Sequence, residues 1–368
     1  MSKMVSVVQP LLVYYPVFSG GPALSLFSIN SELGSDIKVT VITTLKGQNK
    51  NSYNHSLSDT HTIFYTKRFI HVFLDGLRLL NRSDVLQLSS LFFPPNIILY
   101  LIYTLARKKV IVSPRGELFD PALHQGRPML KRLFLLIYKF NKSKTCWVAT
   151  SKEEADVIRT KIEPTKIKII PNYLKLKERS NCQHSWTRNI LYMGRLSNIK
   201  NIHLILEALF LKKESGEIYQ LNIMGEAWTT SEKQYKDRLQ KLVNQFSLEN
   251  QVIFHGHLTG KAKYSVMTDC DALFLVSSSE NFGNVVLEAL AYSIPVVASH
   301  GTPWNKLDKN QAGFFISGSL GSIVKALEEF DNLSNDDYRQ MCKNAYELYT
   351  STYQLSDGVK CWREVYIN

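Results

Sequence analysis

Glu280 and Glu288 stand eight residues apart in SSSENFGNVVLEALAYSIPVVAS (277–299), bracketing a glycine turn and the start of an apolar helix. A carboxylate among Val285, Val286, Leu287, Ala289 and Leu290 is costly to bury without a partner. A vicinal diol such as a ribose would serve, since both hydroxyls can donate to one carboxylate. Solvent on the outer face of an amphipathic helix is the alternative. Asn284 reads as the N-cap, which puts Glu288 about 6 Å into the helix at 1.5 Å per residue. A second cluster lies in ILYMGRLSNIKNIHLILEAL (190–209), where Arg195 and Lys200 flank a short loop after Gly194 and a helix is expected from Lys200. Two cations at a helix start oppose its dipole unless an anion sits between them. The pattern therefore points to a phosphate held by side chains and backbone amides together, against a plain solvated loop. The third candidate is YYPVFSGGPALSLFSIN (14–30), where Gly20 and Gly21 permit a tight turn and close approach of an anion to a helix start. An ordinary strand–helix turn carries the same sequence.

These loops have to be positioned by something, and the rest of the chain says what. Short apolar runs alternate with helical patterns, as in a parallel sheet wound by helices. Strands are expected at 4–8, 38–43, 85–88, 109–113, 145–149 and 167–170, with helices near 22–34, 70–80, 95–107, 127–141 and 151–161. After Pro171-Asn172 the polar stretch YLKLKERSNCQHSWTR reads as a linker. Alternation then resumes. Strands are expected at 190–193, 220–224, 252–255, 272–276 and 295–298, and helices at 200–214, 231–246, 260–268 and 284–292. Two doubly wound α/β domains follow, and ligands of such sheets bind at the carboxyl ends of the strands.

The 368 residues exceed what one core organises. The five scattered cysteines, with no C-x-x-C pair, argue against a disulfide framework or zinc site and fit a reducing compartment. No secretory signal is expected at the start, and the most lipid-like run (97–106) is too short to span a bilayer. The net charge of +12 is uneven: residues 1–180 carry 26 Lys/Arg against 12 Asp/Glu, and residues 181–368 carry 18 against 20. The basic half implies an anionic surface. In GRPMLKRLFLLIYKFNKSK (126–144) the cations interleave with Leu, Phe, Ile and Tyr. That pattern suits an interfacial amphipathic helix better than a nucleic-acid stripe. A core helix with a solvated Lys/Arg face carries the same pattern.

ENFGNVVLEALAYSIPVVAS resembles the E-x7-E signature of retaining glycosyltransferases of the GT-B fold, family four (group 1). GRLSNIKN is similar to that family's G-R-L-x-x-x-K-N segment and IIPN (169–172) to the P-N closing its first domain; the glycine pair also fits. The resemblance implies two Rossmann-like domains facing each other across a cleft. These are an acceptor-binding domain (1–175), a nucleotide-sugar donor domain (188–350), and a helix within 351–368 crossing back to the first. Carried over, Arg195 and Lys200 bind the donor diphosphate, Glu288 the ribose, and Glu280 the hydroxyls of the transferred sugar. Amides of Phe282, Gly283 and Asn284 line sugar and phosphate, with Gly20, Gly21 and Gly194 beside the donor. Cations and helix amides would oppose charge building on the leaving phosphate, so no metal and no cofactor is implied. The Asp-Cys-Asp triplet at 269–271 is set aside because it precedes a strand instead of following one.

Many family members carry a histidine where this chain has Arg115-Gly116. The SPRG segment, with GTPWNKL (301–307), resembles a subset associated with bacterial surface polysaccharides. Arg115 is a candidate phosphate contact, and Glu117 or His124 a candidate proton acceptor. The implied activity moves a hexose or N-acetylhexosamine from a nucleoside-diphosphate sugar, by preference a UDP-sugar, to a prenyl-diphosphate-linked saccharide in O-antigen, capsule or exopolysaccharide synthesis. The implied location is the cytoplasmic, inner face of an anionic plasma membrane, without nucleic acid. A soluble acceptor, or a non-catalytic sugar-binding partner subunit on the same fold, are the alternatives.

Overall fold

A computed structural model of the chain describes residues 4–14, 21–45, 55–141, 144–179 and 185–368. It divides into two compact units, 1–175 with 353–368, and 176–352.

The first unit runs β1 (Val5–Leu11), α1 (Gly21–Asn30), β2 (Ile37–Thr44), β3 (His55–Ser58), β4 (His61–Thr66), α2 (Phe69–Arg78), β5 (Val85–Leu88), α3 (Pro94–Leu105), β6 (Lys109–Val112), α4 (Asp120–His124), α5 (Pro128–Phe140), β7 (Thr145–Ala149), α6 (Lys152–Ile162) and β8 (Lys166–Ile169). Its sheet has the order β3-β4-β2-β1-β5-β6-β7-β8, parallel except for the β3–β4 pair. Most strands are Val/Ile/Leu-rich and buried on both faces, as a helix-covered parallel sheet requires. The sequence places the end of the first strand at Val8, yet β1 continues through Gln9 and Pro10 to Leu11. Rungs to β5 stop at Val8, so the N–H that Pro10 lacks is not needed on that side. The hairpin β3–β4 is not foreseen; its polar first strand lies at the sheet edge.

The second unit runs β9 (Asn189–Met193), α7 (Ile202–Glu214), β10 (Gln220–Met224), α8 (Thr230–Gln245), β11 (Val252–Gly256), α9 (Gly260–Thr268), β12 (Ala272–Leu275), α10 (Asn284–Ala291), β13 (Val296–Ser299), α11 (Lys306–Lys309), β14 (Gly313–Ile316), α12 (Leu320–Asp331) and α13 (Asn335–Thr352). Its all-parallel sheet has the order β11-β10-β9-β12-β13-β14. From β9 the chain winds outward through β10 and β11. It then returns to β12 and winds the other way, which opens a crevice at the carboxyl ends of β9 and β12. Segment 173–188 is not a free linker at its start. Arg179 N–H donates to Ala291 O at 2.8 Å, and Glu178 accepts from Tyr346 Oη at 2.9 Å.

The last helix, α14 (Leu355–Ile367), belongs to the first unit. Trp362, Val365 and Tyr366 enter the same apolar cluster as Val7, Leu26, Val39 and Ile111. Tyr366 Oη donates to Gln87 Oε1 at 2.5 Å, and Gln9 Nε2 donates to the same oxygen at 2.8 Å. Asn30 Nδ2 donates to Gln9 Oε1 at 2.8 Å and to Tyr14 Oη at 2.9 Å. These buried polar groups form one network, with Gln87 Nε2 left without a hydrogen-bond partner, and the network fixes the helix in one register. α2, α3, α5 and α6 contribute to the cluster on the opposite side of the sheet.

Candidate active site in the second unit

The loops that follow β9 and β12 are tied together at the crevice. Ser278 N–H donates to Ile199 O at 2.8 Å, and Asn201 Nδ2 donates to Val276 O at 3.1 Å. β9 ends at Met193, and the N–H of Gly194 just after it donates to Met224 O at 3.0 Å. The chain then makes a 3-10 turn at Asn198–Lys200, passes left-handed Asn201 (φ 53°) and enters α7. Lys200 therefore ends a separate turn and does not open the helix. Its ammonium pairs with the carboxylate of Glu280. Both side chains are largely covered, so solvent screens the pair little. Arg195, 67% exposed, has its guanidinium 3.2 Å from Glu232. Glu232 is also the reciprocal member of the capping box with Thr229 at the start of α8. The two cations thus each have a carboxylate partner.

β12 feeds the second loop. Glu280 N–H donates to Gly301 O at 2.7 Å, which fixes the backbone beneath its carboxylate. Gly301 can be nothing larger: a Cβ there would lie 2.3 Å from Ser277 O and 2.5 Å from Ser278 O. Trp304 Nε1 donates to Phe282 O, and the two rings meet edge-on at 5.2 Å. The N-cap of α10 is Gly283, at φ +80°, with Asn284 the first helical residue. That corrects the N-cap expected from sequence. The turn needs a left-handed residue where a Cβ would strike Leu275 at 2.9 Å, and glycine meets that need better than an asparagine cap. Glu288 lies just over one turn further, buried among Val286, Leu287, Ala289 and Leu290. Its partner is a lysine, since its carboxylate pairs with Lys263 of α9. The Tyr192 phenol, buried and with Glu280 nearby, is held far above its usual pKa and stays neutral.

The structure thus brings Lys200 onto Glu280 and sets Arg195 on the same loop, while Glu288 meets Lys263. Neither Lys263 nor Glu232 is found by sequence reasoning. Lys263 looks like any surface lysine in GKAKYSVMT, and its partner is 25 residues away on another helix. Asp271, of the triplet set aside, accepts from Thr187 and Asn189 N–H, both at 2.8 Å, as a clasp below β9.

The remaining candidates lie in the first unit. Gly20 falls outside the described residues, and Gly21 opens α1. Arg115 is buried with φ 52°, and its Nη1 donates to Asn172 Oδ1 at 2.5 Å. Burial pulls its pKa down to about 10 against the pull of nearby Glu154, which leaves it charged at neutral pH. Glu154 accepts from Gly116 N–H at 2.6 Å and Thr150 N–H at 2.7 Å, and burial raises its pKa. Glu117 likewise accepts from Ser90 Oγ at 2.7 Å and Leu91 N–H at 2.5 Å. Burial raises the Glu117 pKa too, but its lone pairs brace the loop after β5. His124 is exposed at the end of α4, its Nδ1 2.7 Å from Asp120 O.

Residues 182–348 match the family model for glycosyl transferases group 1. The human alpha-1,3/1,6-mannosyltransferase ALG2 is 29% identical over 149 residues, covering 38% of this chain and 36% of ALG2. The putative colanic acid biosynthesis glycosyltransferase WcaL of Escherichia coli K12 is 25% identical over 166 residues, covering 43% of this chain and 39% of WcaL. The match therefore spans well under half the length of either relative. The crystal structure of Anabaena HepE in complex with UDP and glucose superposes with a TM-score of 0.72 at 15% identity, covering 98% of each chain.

Proposed function

We propose that this GT-B chain, whose residues 182–348 belong to the glycosyl transferases group 1, transfers a sugar from a nucleoside diphosphate to a saccharide acceptor in surface-polysaccharide synthesis. The observation that carries the reading is the Lys200–Glu280 pair at the crevice where the sheet changes winding direction. A cation and a carboxylate in mutual reach are what a sugar diphosphate requires, one for the departing phosphate and one for the sugar's hydroxyls. Arg195, on the same loop as Lys200 and paired with Glu232, supplies a second cation, and the start of α10 adds the positive end of its helix dipole. Glu288 takes the ribose diol, for which its bond to Lys263 must open or be shared. With fixed cations on the leaving group no divalent ion is needed, and retention follows from attack on the face the diphosphate leaves. The donor is a hexose or N-acetylhexosamine nucleotide, UDP-linked by preference. The acceptor is a prenyl-diphosphate-linked saccharide handled by the basic first unit at the inner face of the plasma membrane. HepE is described with UDP and glucose, and WcaL with colanic acid biosynthesis, which supports both halves of the proposal.

Thermal unfolding with UDP-, GDP-, ADP- and dTDP-sugars tests it. Ligand at 100 times its Kd stabilises by about 2.7 kcal/mol, which is about 5–10 °C for a unit of this size. Glu288→Ala and Lys200→Ala should abolish the shift and donor turnover. Undiminished shift and turnover in both variants would refute the assignment. Binding without transfer to any lipid-linked acceptor would favour a sugar-binding subunit.

A further inference from the structure

In the first unit α2, α3, α5 and α6 line one side of the sheet, their inner residues Val72, Leu99, Tyr138 and Ile158 sharing one apolar cluster. Their outer surfaces differ. α6 turns Lys152, Glu153, Asp156 and Arg159 to solvent, the mixed charge of an ordinary solvated helix. α5 does not. Met129 is 86% exposed and Phe140 87%, with Leu133 and Leu136 exposed between them. Spacings of four, three and four place these side chains on one stripe. Among the described residues of α5 only Tyr138 is buried. α3 adds exposed Ile98 and Leu105, and α2 adds Phe69, Ile70, Leu74 and Leu77. α2 contacts α3, and α3 contacts α5. Single exposed apolar residues are commonplace, but a set shared by three neighbouring helices marks an interaction surface.

Charge selects the occupant. α3 and α5 contain no Asp or Glu, and the one carboxylate of α2, Asp75, pairs with Arg78 at 2.7 Å. Around the apolar side chains stand exposed Arg68, Arg107, Arg127, Arg132 and Lys139. A second copy of the chain on this face would bring like charges together. An anionic bilayer takes both components, with apolar groups at the headgroup–acyl boundary and cations among lipid phosphates. We infer that the outer face of α2, α3 and α5 docks the protein on an anionic membrane. This deepens the functional reading above by locating its membrane partner, and its readout does not depend on sugar transfer.

The test is co-sedimentation of the full chain with vesicles of phosphatidylcholine alone or with 30% phosphatidylglycerol, at low and high salt. Each engaged cation contributes about fivefold in affinity, so the anionic vesicles should bind at least tenfold more tightly, with the difference shrinking in high salt. Leu133→Ser with Leu136→Ser, and separately Arg132→Glu with Lys139→Glu, should each weaken binding at least tenfold. All four positions are solvent-exposed, so the thermal midpoint and the donor-induced shift should stay as in the wild type. A Phe140→Trp variant should show an emission blue shift only with the anionic vesicles. Indifference to phosphatidylglycerol, or wild-type binding by both double variants, overturns the inference. So does a dimer that disappears in Leu133→Ser with Leu136→Ser. Lost vesicle binding with intact donor binding would sink this surface and leave the donor site standing; the reverse result would do the opposite.

Discussion

Lys263→Met removes the cation that faces Glu288 and keeps the length of the side chain. Glu288 is 9% exposed and Lys263 22%, and the flanking residues Leu287 and Ala289 of α10 are wholly buried. Deleting one partner of a fully buried pair costs 3–5 kcal/mol, because the other charge is left uncompensated. Water reaches Lys263, so about 2–3 kcal/mol is the expectation here, or a fall of about 4–12 °C in the second unit's midpoint. Glu288→Gln leaves only the better solvated lysine alone and should cost about 1 kcal/mol. If the pair acts as a unit, the double variant will be more stable than the sum of the singles predicts, by about 2 kcal/mol. Urea unfolding of all four proteins reads this coupling. A coupling below about 0.5 kcal/mol, the scatter expected of independent sites, would show that Lys263 does not hold Glu288. The picture of a lysine that yields to a ribose would go with it. If that picture is right, the donor should bind Lys263→Met more tightly than wild type, although the protein itself is less stable.

Gly301→Ala should lower donor turnover by more than tenfold at little cost in overall fold, since a Cβ 2.3 Å from Ser277 O must displace the backbone that seats Glu280; steady-state kinetics with circular dichroism checks both. His61 is buried and its pKa is pushed down to about 4. Between its unfolded value near 6.5 and that folded value the unfolded chain takes up a proton the folded one refuses, so stability is lost as pH falls across this window. The loss is about 3 kcal/mol, and denaturation midpoints of His61→Gln against wild type at pH 7 and 4.5 should show a flatter dependence in the variant. Transfer activity should survive excess EDTA, and full loss restored by magnesium or manganese would contradict the metal-free reading.

Much of the second unit was legible because its strands are continuous apolar runs closed by polar loops. Residues 272–276 and 220–224 read as strands and fold as such within a residue. The glutamate pair and the Gly194–Lys200 loop stand out in sequence as candidates, and the sheet sets Lys200 against Glu280 while Glu288 meets Lys263 instead. Illegible parts fail for identifiable reasons. The β3–β4 hairpin has the polar sequence HSLS in its edge strand, which carries no apolar alternation to read. Asn284 looks like a cap, but capping preference carries no information on the positive φ that the Phe282–Trp304 packing demands one residue earlier. Ion pairs between separate helices, such as Lys263 with Glu288 or Arg195 with Glu232, leave no spacing signal at all. By contrast Ile323, Ala326, Leu327 and Phe330 of α12 carry helical spacing openly, behind the Ser319 cap.

Because α14 completes the core of the first unit, that unit is made from two stretches separated by the whole of the second. During synthesis the sheet of residues 5–169 emerges early but waits for Trp362, Val365 and Tyr366 until everything between has been translated. Until then the groove for α14 and the amides of Gln9 and Gln87 stay uncovered. Maturation of the two units is thereby locked in sequence, with the second free to close on its own schedule and the first able to finish only last.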